Sequence, residues 1–308
     1  MTITFVGDIM LSENQIKNGY ENKKSNPFEW FSCVSSYINN SDYIIGNFET
    51  IINDKKPLSG YPKFNAPEKY LDDILSTIHF THLSLANNHC LDCGEYGLKN
   101  TFNIINKKSV KCIGVYENIP SIQIIKKDNI SIGLLNYCEK INCNIELKNI
   151  NVNIFDNNNI ITDINQLKGK CDYILLYMHY GKEYSDAPDN KTKEILRSLI
   201  KLGVDHIICS HTHIPQEIEN YTYDGKNHYI IYSLGNFISD QRRLFIDSGL
   251  VITFNINKYY TNIITEKTWV SCPDFNDLNS YRILFQNNIL NENMHSLSVK
   301  EQYKLNCL

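Results

Sequence analysis

The chain has 308 residues, 42% of them hydrophobic and 21% charged, a balance that fits an ordinary globular protein with a sizeable core. Its formal net charge of −4 excludes the basic surface that a general nucleic-acid binder needs. No run approaches the roughly 18 apolar residues of a membrane span, and the first residues, MTITFVGDIML, carry no basic and apolar export signal. A cytoplasmic protein with reduced thiols is therefore expected, its ten cysteines acting mostly as small core residues.

In chain order, the spacing predicts a strand at 3–7 (ITFVG), a helix over 27–38 and a strand at 43–47 (YIIGN). A helix over 67–78, a strand at 81–87 (THLSLAN) and a helix over 95–107 follow. Three apolar runs at 111–116, 121–127 and 130–137 read as strands, and the asparagine-rich stretch 147–161 as a loop or insertion. Beyond it come a strand at 173–179 (YILLYMH), a helix over 190–203 ending on glycine, and strands at 206–211 (HIICSH), 228–237 (HYIIYSLGNF) and 249–256. The tail after about residue 257 has no clear pattern. Runs that are apolar almost throughout suit strands covered on both faces, and their alternation with amphipathic helices predicts a layered α/β fold.

The functional signal lies at the strand ends. Asp8 closes the first strand, Asn47 and Glu49 follow the second, and Asn88 and His89 follow LSLAN. His179 closes YILLYMH, His211 and His213 follow HIICS, and Asn236 follows IIYSLG. Ligands bind beyond the carboxyl ends of strands in open α/β sheets, so strands ending this way together aim at one place. Carboxylate, imidazole and amide oxygen suit one or two divalent ions of manganese, iron or zinc. Such ions lower the pKa of bound water and clamp a developing oxyanion. If H-x-H at 211–213 is extended, its two imidazoles project on the same side.

A second motif, Cys90-x-x-Cys93, invites a zinc reading, but a structural zinc needs four ligands and the only other close pair, Cys138 and Cys143, is awkwardly spaced. Packing at a helix start is the better reading, with Asp92 as a cap for the helix that follows. Tyr180, Glu183 and Tyr184 adjoin His179 and could line a pocket. Arg242 and Arg243 follow YSLGNF, where arginine could grip carboxylate or phosphate in bidentate fashion.

The segments FVGDIML, GNFET, LANNHCLDCGEYGL, HYGKEY, LGVDHIICSHTHIPQ and YSLGNFISDQ together resemble the bacterial CapA family, the poly-γ-glutamate capsule-synthesis proteins. They span about residues 3–256 in the family's order. The resemblance implies a calcineurin-like metallophosphoesterase fold, a four-layer αββα sandwich of two mixed sheets. It also implies a family domain over 1–256 with a C-terminal extension, 257–308, packed on it. Asp8 resembles the first aspartate ligand of metal one, Glu49 stands where a bridging carboxylate is usual, and His213 resembles a further metal-one ligand. Asn88, His179 and His211 resemble ligands of metal two. His89 resembles the histidine that stabilises the leaving group or developing charge, which sets it with Asp8 and Asn88 as the catalytic group. Asn47, Tyr180, Glu183, Asn236 and Arg242 are the expected substrate contacts.

One departure is visible: the phosphatase D-x-H reads Asp8-Ile9-Met10, so a metal-one imidazole is missing. The resemblance implies a metal-dependent hydrolase or related transferase acting on a phosphoester or amide-type bond, in a poly-γ-glutamate or similar pathway. Two alternatives stand beside it. One is a capsule assembly or binding factor without catalysis, the other an amide-forming or amide-cleaving tailoring enzyme of small-molecule biosynthesis. The expected partner is a small-molecule or polyglutamate-like substrate, with no nucleic acid and no membrane span.

Overall fold

Two β-sheets lie face to face with helices on their outer sides, in a computed structural model that describes residues 1–22, 26–118, 122–241, 245–271 and 281–286. The first sheet runs Arg282–Phe285, Thr261–Ser271, Ser248–Ile256, Thr2–Ile9, Tyr43–Phe48, His82–Ser84, Lys111–Ile113, and Asn236–Ile238 pairs with the far end of Thr2–Ile9. The second runs Ile218–Tyr223, Lys226–Ile231, His206–Ser210, Tyr173–His179, Ile130–Cys138, Gln123–Lys127. Both are mixed. The second has parallel pairs in the middle and antiparallel pairs at both edges. The first is antiparallel from Arg282–Phe285 to Thr2–Ile9 and parallel from there to Lys111–Ile113.

Neighbouring side chains on a strand point to opposite faces, and here both faces are covered, so both are apolar. Phe5, Ile45, Leu134, Leu175, Tyr177 and Ile208 fill the space between the sheets. Val6, Ile44 and Phe48 point outward onto the helices Glu29–Ile38, Glu68–Thr77 and Gly94–Lys107. Leu135, Leu176, Met178 and Ile207 point outward onto Asn157–Leu167 and Asn190–Lys201. Three apolar layers between four structural ones make the αββα sandwich that the segment resemblance implied.

Four expectations are corrected. The asparagine-rich stretch is not all loop: Asp156 caps the helix Asn157–Leu167 by accepting from Asn158 N and Asn159 N, and Ile160, Ile164 and Leu167 bury one face. The run 228–237 is not one strand. It leaves the second sheet after Ile231, turns at Gly235 (φ 67°) and joins the first sheet at Asn236. Run 111–116 breaks at Gly114 (φ 78°), where a Cβ would lie 2.1 Å from Asn136 Oδ1. Run 81–87 is strand only over His82–Ser84, so the residues after it are loop. The unpatterned tail continues the first sheet through Thr261–Ser271 and Arg282–Phe285.

Strand register places the polar residues. Asp8 is paired with Asn47 on one side and Asn236 on the other. Asn47 pairs with Ser84, and in the facing sheet His179 pairs with Ser210.

Candidate metal centre

Asp8, Glu49 and His179 are buried and offer ligand atoms that all lie within 4.8 Å of one another. Asp8 and Glu49 come from the first sheet and His179 from the second, so the cluster exists only where the sheets meet. His211 and His213 stand outside that three-residue group but approach it from the turn after Ser210, His213 beside Asp8 and His211 beside His179. The condition for two imidazoles on one side, an extended H-x-H, is not met: His211 has φ 107° and His213 φ 61°, and their ring centroids are 6.5 Å apart. Left-handed backbone at two side chains with Cβ costs on the order of 1–3 kcal/mol each and persists where surrounding structure compels it. The turn brings His211 N to 3.3 Å from Asp8 Oδ2 and sets His213 Nδ1 3.3 Å from the same oxygen. The His211 ring lies 4.4 Å from that of His179.

Asn47 sits beneath these groups. Its Nδ2 is 2.8 Å from Asp8 Oδ1, 3.2 Å from Glu49 Oε2 and 3.1 Å from His179 Nδ1. Its Oδ1 accepts from Asn87 Nδ2 at 3.1 Å. Both ends of the amide are thus taken by protein groups, which suits a buried brace better than the substrate contact expected of it. Asn87 was missed at the sequence level, although its place in a double asparagine at a strand end was the available signal. It also donates to Phe48 O and accepts from His89 N. Asn88 Oδ1 lies 2.8 Å from His179 Nε2, and Asn88 Nδ2 lies 3.4 Å from Glu183 Oε1 at the exposed mouth.

His89 stands on the rim. Its Nδ1 is 2.7 Å from Asp92 Oδ2 and its Nε2 is 4.0 Å from Glu49 Oε1. Asp92 also accepts from Phe64 N at 2.7 Å. This corrects the reading of Asp92 as a helix cap: the cap position of Gly94–Lys107 is Cys93, with no side-chain bond, and Asp92 instead holds His89. Cys90 and Cys93 are buried in the apolar layer under the helices, and burial pushes the Cys90 thiol well up. Tyr180 is likewise core: its ring packs against Phe155 between the second sheet and its helices, away from the pocket role expected of it. Tyr184 lies nearer, with its ring 5.6 Å from that of His213. Asn236 Oδ1 is 3.0 Å from His213 Nδ1. Arg242 and Arg243 lie outside the described residues.

The electrostatics follow from burial. Burial would raise the Asp8 carboxyl, but the His213 hydrogen bond and the His179 and His213 rings hold it below the usual range. Glu49 moves the other way, pushed well above the usual range by burial and then by Asp8. Burial lowers His179 strongly and takes His211 down to about 3. For His213 burial also acts downward, but Asp8 overrides it and raises the ring.

A divalent cation fits this donor set. Two fully buried carboxylates face imidazoles and amides, and among the described residues no lysine or arginine pairs with either. Glu49 Oε1 and His211 Nδ1 are buried without hydrogen-bond partners among the described residues. Buried charge is stable only when paired or bound to metal, and two orphaned ligand atoms at one place are what a cation would take up. Met10 lies just past Asp8 with a thioether, a poor ligand for a hard ion. A cavity of about 450 Å³ is lined by Met10, Phe64, Tyr184, Gln241 and Ile246 among others, and two of these, Tyr184 and Phe64, set their rings against His213 and His89.

The sequence profile described as Bacterial capsule synthesis protein PGA_cap matches residues 2–241. The chain is 29% identical over 259 residues to the capsule biosynthesis protein CapA of Bacillus anthracis, covering 78% of this chain and 60% of that one. It is 26% identical to the PGA biosynthesis protein CapA of Bacillus subtilis (strain 168), covering 84% of this chain and 68% of that one. Among solved structures, a 5'-nucleotidase from Candida albicans superposes with a TM-score of 0.51 at 11% identity, over 99% of this chain and 55% of that one. A hypothetical protein from Thermus thermophilus gives 0.50 at 12% identity, over 87% and 99%. At such identities the structural likeness speaks for the fold alone, that of the calcineurin-like phosphoesterases. No helix among the described residues is long and apolar enough to cross a membrane.

Proposed function

The chain belongs to the bacterial capsule synthesis protein family PGA_cap, and on that premise we propose a metal-dependent hydrolase, or a transferase of related chemistry, acting on a phosphoester or amide-type bond. The observation that carries this reading is the buried Asp8–Glu49–His179 cluster, closed by His211 and lacking any lysine or arginine counter-charge among the described residues. Asp8, Glu49 and His213 would hold one ion, and Asn88, His179 and His211 a second. When bound, a divalent ion supplies Lewis-acid polarisation and a lowered pKa for water.

The remaining work belongs to the chain. Nδ1–H of His89 donates to the Asp92 carboxylate, so Nε2 is the atom turned towards the cluster; when the ring carries a second proton there, as imidazolium, it can give that proton to a leaving group or hydrogen-bond a developing anion. Asn47 holds both carboxylates in place. Phe64, Tyr184 and Met10 wall the cavity in which the rest of the substrate would lie. The relatives' names speak of capsule and PGA biosynthesis, so a polyglutamate-like or small γ-glutamyl substrate is the first to try.

The test is a survey of phosphoesters and γ-glutamyl or other amides with Mn²⁺, Fe²⁺ and Zn²⁺ supplied in turn, alongside elemental analysis of protein purified without chelator. We expect one to two ions per chain and metal-dependent turnover of at least one substrate. One observation favours a second reading, a binding factor for capsule assembly: Met10 stands where phosphatases have an imidazole, which weakens the first ion. Metal without turnover on any substrate would select it.

A further inference from the structure

His213 is enclosed by a ring of contacts that the proposed chemistry does not use. Its Nδ1 lies 3.0 Å from Asn236 Oδ1. Asn236 Nδ2 donates to Ile246 O at 2.8 Å and to Gln241 Oε1 at 2.9 Å. Gln241 Nε2 lies 3.4 Å from Tyr184 OH, and the Tyr184 ring returns to within 5.6 Å of the His213 ring.

These contacts set proton positions. Both hydrogens of the Asn236 amide are spent on two acceptors, so its oxygen must face His213. An oxygen there, with Asp8 Oδ2 at 3.3 Å, demands a proton on Nδ1. The neutral ring then keeps its lone pair on Nε2, the nitrogen left to ligate a cation. Asn236 is fully buried, with both hydrogens spent and its oxygen facing His213, so the substrate role expected of it gives way to another.

We propose that Asn236, aimed by Gln241, is a positioning residue that fixes His213 as an Nε2 ligand of the ion shared with Asp8, and that Tyr184 and Gln241 tie this ligand to the cavity wall. The inference rests on the metal reading above for its purpose, though not for the tautomer it asserts. Gln241 and Tyr184 both line the cavity, so the wall a substrate touches and the brace of a metal ligand are one hydrogen-bonded unit. This also gives the weaker of the two proposed ion sites a support that offsets the missing imidazole at Met10.

Two measurements test it. The first reads the neutral His213 tautomer in metal-free protein by ¹H–¹⁵N NMR in alkaline buffer. The proton is expected on Nδ1 in the wild type, with a mixture of tautomers in Asn236→Ala and a smaller shift in Gln241→Ala. The second is Mn²⁺ titration followed by electron paramagnetic resonance. Asn236→Ala should lose about 10–100-fold in affinity at one site and keep the other, the usual scale for a partner behind a ligand. Gln241→Ala, which is partly exposed and leaves the core intact, should lose less, and Gln241→Glu, still an acceptor for Asn236 Nδ2, should recover it. A wild-type proton on Nε2, or Mn²⁺ affinities in Gln241→Ala and Asn236→Ala equal to wild type, would overturn the proposal. A wild type that binds no cation would sink the metal reading alone, since the tautomer is read without metal and still decides this one.

Discussion

The strand His206–Ser210 has buried histidines at both ends, and they behave alike in isolation but not in company. At its start, His206 Nδ1 accepts from Tyr229 N at 3.0 Å, and nearby His228 Nδ1 donates to Asp205 O at 2.9 Å. The ring centroids are 6.4 Å apart, and both Nε2 atoms lack partners among the described residues. Past its end, His211 is equally buried and its Nδ1 equally alone. Burial takes both His206 and His211 down to about 3. What differs is the neighbourhood. His211 faces His179 and, through its backbone, Asp8. His206 faces the rings of Phe254, Tyr229 and Tyr173. Desolvated imidazole is thus no mark of a ligand by itself; buried carboxylate beside it is what makes a cation welcome.

The comparison breaks most visibly at the carboxylate end. His211→Ala should lose metal and turnover together, read by elemental analysis and by whichever assay the substrate survey yields. Metal retained at the wild-type level would remove His211 from the ligand set. His89→Ala comes next. It should keep most of the metal and lose turnover by about 10²–10⁴-fold, the scale of a positioned acid–base or charge-stabilising group. Wild-type rates in that variant would leave the protein without its proposed catalyst.

At the opposite end the effect is on stability. The unfolded chain takes up a proton on His206 near 6.5, while the folded chain resists until about 3, so the unfolded state binds more protons between those values. Stability from this ring is complete above the unfolded value and is lost on acidification through that window, by up to about 1.4 kcal/mol per pH unit. Urea unfolding across the window should show a shallower pH slope in His206→Gln, and an unchanged slope would refute the assignment. The smallest effect is a null one. Cys90→Ser with Cys93→Ser, and separately His228→Ala, should leave metal content as it was. A metal lost with the cysteines would return the thiols to the site.

Much of the centre was legible because strand ends announce themselves. An apolar run that stops on Asp8 or His179 has only one place to put the polar side chain. The failures are of three physical kinds. Pattern along a chain does not say which sheet a strand joins, so the run 228–237 hid a change of sheet at Gly235. Composition masked periodicity in Asn157–Leu167, where three apolar positions at helical spacing sit among asparagines. Proximity in sequence was mistaken for proximity in space at Tyr180, which follows His179 but points into the layer behind it. Asn87 and Gln241, by contrast, act through other residues, and nothing in a lone sequence separates such partners from ordinary polar loops.

The position of Thr2–Ile9 has a consequence for how the protein is made. This strand lies in the interior of its sheet, with Tyr43–Phe48 on one side and both Ser248–Ile256 and Asn236–Ile238 on the other. Met1 N even reaches Ile256 O, 255 residues away. At about 5–20 residues per second, a ribosome needs on the order of 10–50 s to deliver those partners after the first strand has emerged. Through that interval Asp8 has no Asn236 beside it and no His213 to meet, so the centre is assembled late, when Asn236–Ile238 and Ser248–Ile256 pair with Thr2–Ile9.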